Sequence, residues 1–387
     1  MSTARPAFLD APATAAILAA LPGSRAVGGA VRDSLAGQPV QDVDIAAPLP
    51  PEEIARLLRA AGAKVFDTGI AHGTVTAVLA GAPHEVTALR RDIATDGRHA
   101  EVEWTTDWRE DAARRDFSIN AMSMGADGVL FDYFGGQGDL TAGRVVFVGD
   151  PATRIAEDYL RILRFFRFFA RYGRGAPDAA ALVAIRAGVG GLARLSVERV
   201  WMELKRLLAG PRAVEAVARM AEAGVLDAVL PEAGALDALA RMDAVDPVLR
   251  LGALLKPGAD IAALARRLKL SGAEATTLAA LQGLVPAGED DALRRALAEA
   301  GHETLLARVA LAQARDGVDR APLRDRLRAL PRPVFPLQGR DGLGLGAQPG
   351  PALGAALAAT RDWWLARGCT DDAEACRAEL ARALRQG

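Results

Sequence analysis

Residues 28–33 and 42–44 read Gly28-Gly29-Ala30-Val31-Arg32-Asp33 and, after a short spacer, Asp42-Val43-Asp44. Two glycines ahead of a helix start let backbone N–H groups approach a phosphate closely, and Arg32 adds a guanidinium fork. A strand is expected over Val40 to Ala46, where side chains at i and i+2 share a face, so Asp42 and Asp44 form a two-carboxylate claw. Hard oxygen ligands of this kind suit Mg²⁺, which usually keeps substrate phosphates as further ligands. Such ions clamp both the attacking and the leaving oxygen of a phosphoryl displacement. Taken alone, the Asp-x-Asp tripeptide reads as a solvated strand edge; the glycine and arginine stretch upstream turns the reading toward metal and phosphate. Neither a G-x-x-x-x-G-K-[ST] loop nor a dinucleotide fingerprint occurs.

Around this stretch, from Arg25 to Val148, strands and turns alternate. A first helix is expected over Ala11 to Leu21, rather than a signal peptide, and another over Pro51 to Ala61. Val75–Leu79 and Glu85–Leu89 read as a hairpin around Ala80-Gly81-Ala82-Pro83, and Val129–Tyr133 and Arg144–Val148 as further strands. Beyond Asp150-Pro151 apolar residues recur at helical spacing in Ile155–Phe169, Val197–Leu208 and Ala213–Leu230, and so on to the C-terminus. Gly173–Pro177, Gly210-Pro211, Pro257-Gly258 and Pro331–Pro336 interrupt that pattern. The fold class expected is α+β, a mixed-sheet first part followed by an all-helical remainder.

The 387 residues exceed one ordinary domain. Aromatics make up only 5%, which favours helices packed through Ala, Leu and Val. With 47 basic and 48 acidic residues, no global positive field exists to hold a polyanion, so any nucleic-acid contact must come from a local patch. Pro151 to Glu215 supplies one, with 12 arginines and lysines against 6 acidic residues; a solvated helix face reads the same way. Cys369 and Cys376, expected on one helix, build no disulfide framework or metal knuckle, so a reducing cytoplasm is the expected compartment. No apolar run approaches the ~20 residues a membrane span needs.

Further segments fall into order with the first. Arg114-Arg115-Asp116-Phe117-Ser118-Ile119-Asn120-Ala121, Asp132 with Gly135, Gly136 and Asp139, and the helix Glu157-Asp158-Tyr159-Leu160-Arg161-Ile162-Leu163-Arg164-Phe165-Phe166-Arg167 follow one another. On a continuous helix Asp158, Arg161 and Arg164 are successive neighbours, with Arg167 extending the row and Leu160, Leu163 and Phe166 on a buried face. The same helix reads as a salt-bridged amphipathic element.

Together these segments resemble the nucleotidyltransferase family of class II tRNA CCA-adding enzymes and bacterial poly(A) polymerases, over residues 25–200. Its G-G-x-V-R-D and D-x-D, R-R-D-F-T-x-N-A (here with Ser118 for Thr), D-x-x-G-G-x-x-D-L and E-D-x-x-R motifs are all matched. Asp92–Val102 is similar to its flexible D-G-R loop, His72-Gly73 to its H-G-T strand start, and Leu195–Arg199 to its S-x-E-R helix start, where Ser196 fits an N-cap. The resemblance implies a polymerase-β-like head at 1–148, a helical neck at 149–215 and a helical body and tail at 216–387 that grips tRNA. It implies addition of CMP, CMP and AMP to the tRNA 3′ end from CTP and ATP, with Mg²⁺ as cofactor. Asp42 and Asp44 would be catalytic metal ligands. Gly29, Arg32, Arg115, Asp158, Arg161, Arg164 and Arg167 would bind nucleotide.

In the family the E-D-x-x-R helix reads the incoming base, and the chemistry is legible. A carboxylate accepts from an exocyclic amino group and a guanidinium donates to the adjacent acceptor, as cytosine and adenine require. Uracil and guanine would leave the carboxylate unpaired at about 1–3 kcal/mol. A poly(A) polymerase, a partial CC- or A-adding enzyme, and an inactive RNA-binding relative are the alternatives; the metal claw argues against the last. Glu85 is a candidate third carboxylate. No His-Asp dipeptide occurs, so no phosphohydrolase module is expected. Oligomeric state is not readable.

Overall fold

A computed structural model describes residues 5–66, 69, 73–95 and 100–386. His72 and the Asp96-Gly97-Arg98 centre of the D-G-R segment lie outside the described residues. The chain divides into two compact units, Met1–Pro231 and Glu232–Gly387.

In the first unit the chain runs α1 (Pro12–Ala20), β1 (Arg25–Val27), α2 (Gly29–Leu35), β2 (Asp44–Ala47), α3 (Pro51–Ala60), β3 (Lys64–Phe66), β4 (Thr74–Leu79), β5 (Ala82–Ala88), β6 (Arg90–Thr95), β7 (Ala100–Trp104), α4 (Trp108–Ala113), β8 (Ser123–Met124), β9 (Leu130–Phe131) and α5 (Gly136–Ala142). Helices follow: α6 (Pro151–Glu157), α7 (Leu160–Tyr172), α8 (Ala179–Gly188), α9 (Val197–Leu208), α10 (Ala213–Glu222) and α11 (Val225–Val229). Seven strands form one sheet in the order β3-β4-β5-β2-β1-β8-β9, while β6 and β7 make a separate ribbon. Among the described residues only β2 and β5 pair in parallel, so the sheet is mixed, as expected. Buried Ile17 of α1 and Ile54 and Leu58 of α3 belong to helices that pack on each other and on β4, with α3 reaching β5 as well, where Val75 and Val86 are buried.

Several expected elements are shorter or broken, each for a local reason. Strand β2 begins only at Asp44, because its partner β1 ends at the Val27–Asp44 pair and the chain then turns into α2; Asp42 therefore precedes the strand. The β4–β5 turn is just Ala80-Gly81, both at positive φ (50° and 80°), a two-residue geometry that matches strand twist. Arg144–Val148 forms a single bridge, Phe147 to Phe117, because its partner segment coils into a 3-10 turn at Ser118–Asn120. The helix expected over Ile155–Phe169 is two helices with a break at Asp158-Tyr159. Ala213–Leu230 likewise splits at Gly224, φ 74°.

The second unit holds α12 (Leu236–Arg241), α13 (Pro247–Leu254), α14 (Ile261–Leu268), α15 (Gly272–Ala280), α16 (Asp290–Asp316), α17 (Ala321–Ala329), α18 (Gly339–Gly344), α19 (Pro351–Ala366) and α20 (Ala373–Gln386). Two apolar clusters organise its later part, one around Leu293, Leu305 and Leu327 and one around Trp364, Cys376 and Leu380. The cysteines do not share a helix: Cys369 sits in the turn after α19 at φ 59° and Cys376 in α20. Both are free and buried. Among the described residues no helix is long and apolar enough to cross a membrane.

Candidate active site

The sheet and α7 enclose a cleft of about 940 Å³ within the first unit. All the residues expected to hold metal or bind nucleotide line it: Gly29, Arg32, Asp42, Asp44, Arg115, Asp158, Arg161, Arg164 and Arg167.

The glycine turn forms one wall. Gly28 adopts φ 63°, and a Cβ there would lie 2.9 Å from Arg115 Nη1, so only glycine lets that guanidinium sit against the backbone. Arg32 donates from Nε to Asp33 Oδ1 at 2.9 Å and from Nη1 to Asn120 Oδ1 at 2.5 Å. The Tyr172 hydroxyl also donates to Asp33. Burial first, and the bond to Asp33 with it, raise the Tyr172 phenol against the lowering effect of Arg32.

The Arg114–Ala121 segment is a hub. Buried Asp111 accepts from Arg114 at 2.7 and 2.9 Å and from Arg115 at 3.3 Å. Asp116 accepts from the Phe117 amide and from Asn120, both at 2.9 Å, and from Arg164 Nε at 2.6 Å. Burial would raise its carboxyl, but the Arg164 charge and these hydrogen bonds outweigh that and hold it below the ordinary 3.8. Ser118 keeps the hydroxyl of the usual Thr and donates it to buried Asp139 at 2.6 Å. Asp132 caps α5, accepting from the Gly136 and Gln137 amides at 2.9 Å. Gly136 is required, since a Cβ would lie 2.2 Å from Ser118 O. Phe117 packs on Phe147 at 4.8 Å and on Phe168 of α7 at 5.4 Å, fixing the segment to the helix opposite.

The break before α7 changes the expected pairing. Asp158, at φ −154°, accepts the Leu160 amide at 3.0 Å through Oδ1 and Arg199 Nη2 at 2.7 Å through Oδ2. Arg161 pairs with Glu157 and donates to Arg154 O at 2.9 Å. Asp158 and Arg161 are therefore not i, i+3 partners on one helix, although both face the cleft. Arg161, Arg164 and Arg167 do form a row on α7. Glu203 of α9, 3% exposed, lies 3.0 Å from Arg167 and 4.0 Å from Arg164 and Arg206. Burial draws Arg167 down to about 10, with Glu203 opposing and Arg164 and Arg206 assisting. Ser196 occupies the N-cap position of α9 without a side-chain capping bond.

Sequence reasoning did not assign roles to Asp33, Asn120, Glu157, Tyr172 and Glu203. Glu157 was within reach, because i, i+4 spacing to Arg161 signals an ion pair. Glu203 and Tyr172 matter only through tertiary proximity.

Among the described residues nine arginines and five aspartates line the cleft. Asp33, Asp116 and Asp158 are each held by an arginine, whereas Asp42 and Asp44 are exposed to solvent and, among the described residues, engage in no side-chain hydrogen bond or ion pair. Asp44 has its carboxyl raised by the protein packed around it and by the Asp42 charge, while Arg115 opposes from a distance. Two unpaired carboxylates that repel each other beside a phosphate-sized arginine wall fit a divalent cation. No third such group among the described residues converges with them, so the remaining ligands must come from substrate and water. Glu85 lines an adjoining cavity of about 800 Å³ with both aspartates but completes no three-carboxylate site.

Residues 24–146 match the family model described as the poly A polymerase head domain, and residues 177–236 the probable RNA- and SrmB-binding site of polymerase A. The mitochondrial CCA tRNA nucleotidyltransferase 1 of Danio rerio is 39% identical over 358 residues, 88% of this chain and 83% of that one. The CCA-adding enzyme of Geobacillus stearothermophilus is 40% identical over 208 residues, 53% of this chain and 50% of that one. The crystal structure of the Bacillus stearothermophilus CCA-adding enzyme in complex with CTP superposes with a TM-score of 0.78 at 29% identity, covering 97% of this chain and 98% of that chain. The T. maritima CCA-adding enzyme complexed with tRNA shares the fold, at a TM-score of 0.62 and 20% identity. A mixed-sheet head, a helical remainder, the ordered motifs in one cleft and these likenesses lead to one conclusion: this chain belongs to the class II CCA-adding enzyme family.

Proposed function

We propose that the chain adds CMP, CMP and AMP in turn to the 3′ end of tRNA, taking CTP and ATP and releasing pyrophosphate. The observation that carries the reading is the free Asp42–Asp44 pair in a cleft where every other lining carboxylate is neutralised by arginine. Mg²⁺ held by Asp42 and Asp44 would supply a Lewis acid that acidifies the tRNA 3′-hydroxyl and offsets charge on the α-phosphate. Around it, the Gly28-Gly29 backbone and Arg32 bind the triphosphate, and Arg115, anchored on Asp111, contacts triphosphate or ribose oxygens. Asn120 and Asp33 hold the Arg32 fork in place, so that little side-chain freedom is lost when substrate arrives.

Base choice is assigned to the α6–α7 break. Asp158 is oriented by Arg199 and by the Leu160 amide, and Arg161 by Glu157. A carboxylate and a guanidinium so fixed accept from an amino group and donate to its neighbouring acceptor, the pattern shared by cytosine and adenine. Uracil or guanine would leave Asp158 facing a carbonyl oxygen at about 1–3 kcal/mol. Arg164 and Arg167 extend the contact along α7. The head at 1–148 and neck at 149–215 would thus carry the chemistry, with 216–387 holding the tRNA. Six of the twelve basic residues between Pro151 and Glu215 line the cleft, which supports nucleotide binding as their part of the task. The free cysteines support a reducing compartment such as the cytoplasm.

The test is incubation of the chain with tRNA lacking its last three nucleotides and each labelled nucleoside triphosphate. The reading expects incorporation of C, then A, ending after three residues. Long A tails would mark a poly(A) polymerase instead, and no incorporation a binding protein.

A further inference from the structure

A second cavity of about 510 Å³ adjoins the cleft, sharing Gln38, Arg171, Tyr172 and Pro211 with it. Arg174 and Arg212 line it away from the cleft, and among the described residues no carboxylate does. Arg212 is held by Glu215 and Gly173 O. Arg171 and Arg174 form no ion pair or side-chain hydrogen bond among the described residues.

Arg174 is set in place by its backbone. Its amide donates to Gly143 O at 2.8 Å, and Gly143, at φ 69°, leaves no Cβ where one would come 2.6 Å from the Arg174 side chain. Tyr172 joins the two cavities: Arg32 Cζ lies 4.7 Å from its ring centre and Arg171 Cζ 5.7 Å. A row of guanidiniums thus leads from Arg32, past Tyr172, to Arg171 and Arg174. Unpaired like charges crowding one concavity repel each other, and an anion with several oxygens relieves that.

We infer that this cavity is a second anion site, where pyrophosphate rests on its way out of the cleft. The inference rests on the transfer activity proposed above. There the 3′-hydroxyl gives up its proton to solvent as its oxygen forms a bond to the α-phosphorus, the bond from that phosphorus to the α,β-bridging oxygen breaks, and that oxygen leaves with the electron pair as pyrophosphate. Arg32 faces the leaving group, and the cavity that Arg171 and Arg174 line is lined by neither Asp42 nor Asp44. The product can therefore step off Arg32 without retracing the nucleotide's path.

Equilibrium dialysis of the full chain with labelled pyrophosphate and Mg²⁺ tests this. Two pyrophosphates should bind per wild-type chain and one per Arg174→Glu chain. Arg174→Ala should weaken the second site about tenfold or more, the loss of a charge-assisted hydrogen bond. Because Arg174 is exposed, the melting curves of both variants should match wild type, and Arg174→Lys should restore binding in part. A single site in wild type, or two equal sites in Arg174→Glu, would overturn the inference. So would a loss of tRNA affinity in Arg174→Glu with pyrophosphate binding unchanged, which would assign the cavity to an RNA phosphate. A chain that binds two pyrophosphates yet transfers no nucleotide would overturn the activity and leave the site standing.

Discussion

At the scale of single residues, the cleft separates carboxylates that hold the fold from carboxylates left open. Asp116 is buried and takes three hydrogen bonds, so Asp116→Ala should cost about 3–5 kcal/mol by stranding Arg164. Its folded-state pKa is lowered below 3.8, so its contribution is complete above about 3.8 and fades as pH falls toward the folded value. The melting-temperature gap between wild type and Asp116→Asn should therefore be wide at pH 6 and narrow near pH 3; an unchanged gap would remove Asp116 from the hub. Asp42→Asn should behave oppositely. Transfer should fall about a thousandfold or more, for loss of several kcal/mol of metal-assisted stabilisation, with stability altered by no more than about 0.5 kcal/mol. In the metal-free chain Asp44 is raised above 3.8 by burial and by the Asp42 charge, with Arg115 opposing, so its charged form costs the fold stability and Asp44→Asn should melt no lower than wild type. The two open carboxylates were readable from a tripeptide and its glycine neighbour. The pairing of Asp33 with Tyr172 was not, because it joins residues 139 apart.

At the scale of elements, the break between α6 and α7 sets the geometry of the cleft. Asp158 bonds the Leu160 amide in place of continuing the helix, as short acidic side chains commonly do, and Tyr159 packs on Gly191, where a Cβ would lie 2.0 Å from the ring. Periodicity alone joined the two helices, since Ile155, Leu160, Leu163 and Phe166 are apolar on either side of the break. The row of Arg161, Arg164 and Arg167 was legible from three-residue spacing; its anchor Glu203 was not, because the approach of α9 to α7 leaves no local trace. Arg161→Ala should admit UTP and GTP before transfer is abolished. Glu157→Gln should do the same more weakly, raising the CTP KM with kcat little changed, because it loosens Arg161 without touching the base. Misincorporation measured on tRNA ending in its discriminator base checks both; continued exclusion of UTP and GTP by Arg161→Ala would remove that residue from base choice.

At the scale of the molecule, the near-neutral chain concentrates nine arginines in one cleft of the first unit, Met1–Pro231. Hydrogen exchange with CTP and Mg²⁺ should accordingly show new protection in residues 28–44, 111–121 and 157–206, and none confined to 232–387. Protection only in the second unit would place the nucleotide elsewhere. The fold class was readable because the texture shifts from strand to helix near Asp150, and the family because its motifs fall in order along the first 200 residues. Strand ends were not, since they depend on where a neighbour stops, as β1 does at Val27. The most direct test of the account is anomalous scattering from Mn²⁺ in crystals grown with CTP. The account predicts a peak about 2.0–2.2 Å from both Asp42 and Asp44 carboxylates and from a phosphate oxygen; CTP bound with the metal away from this pair would contradict it.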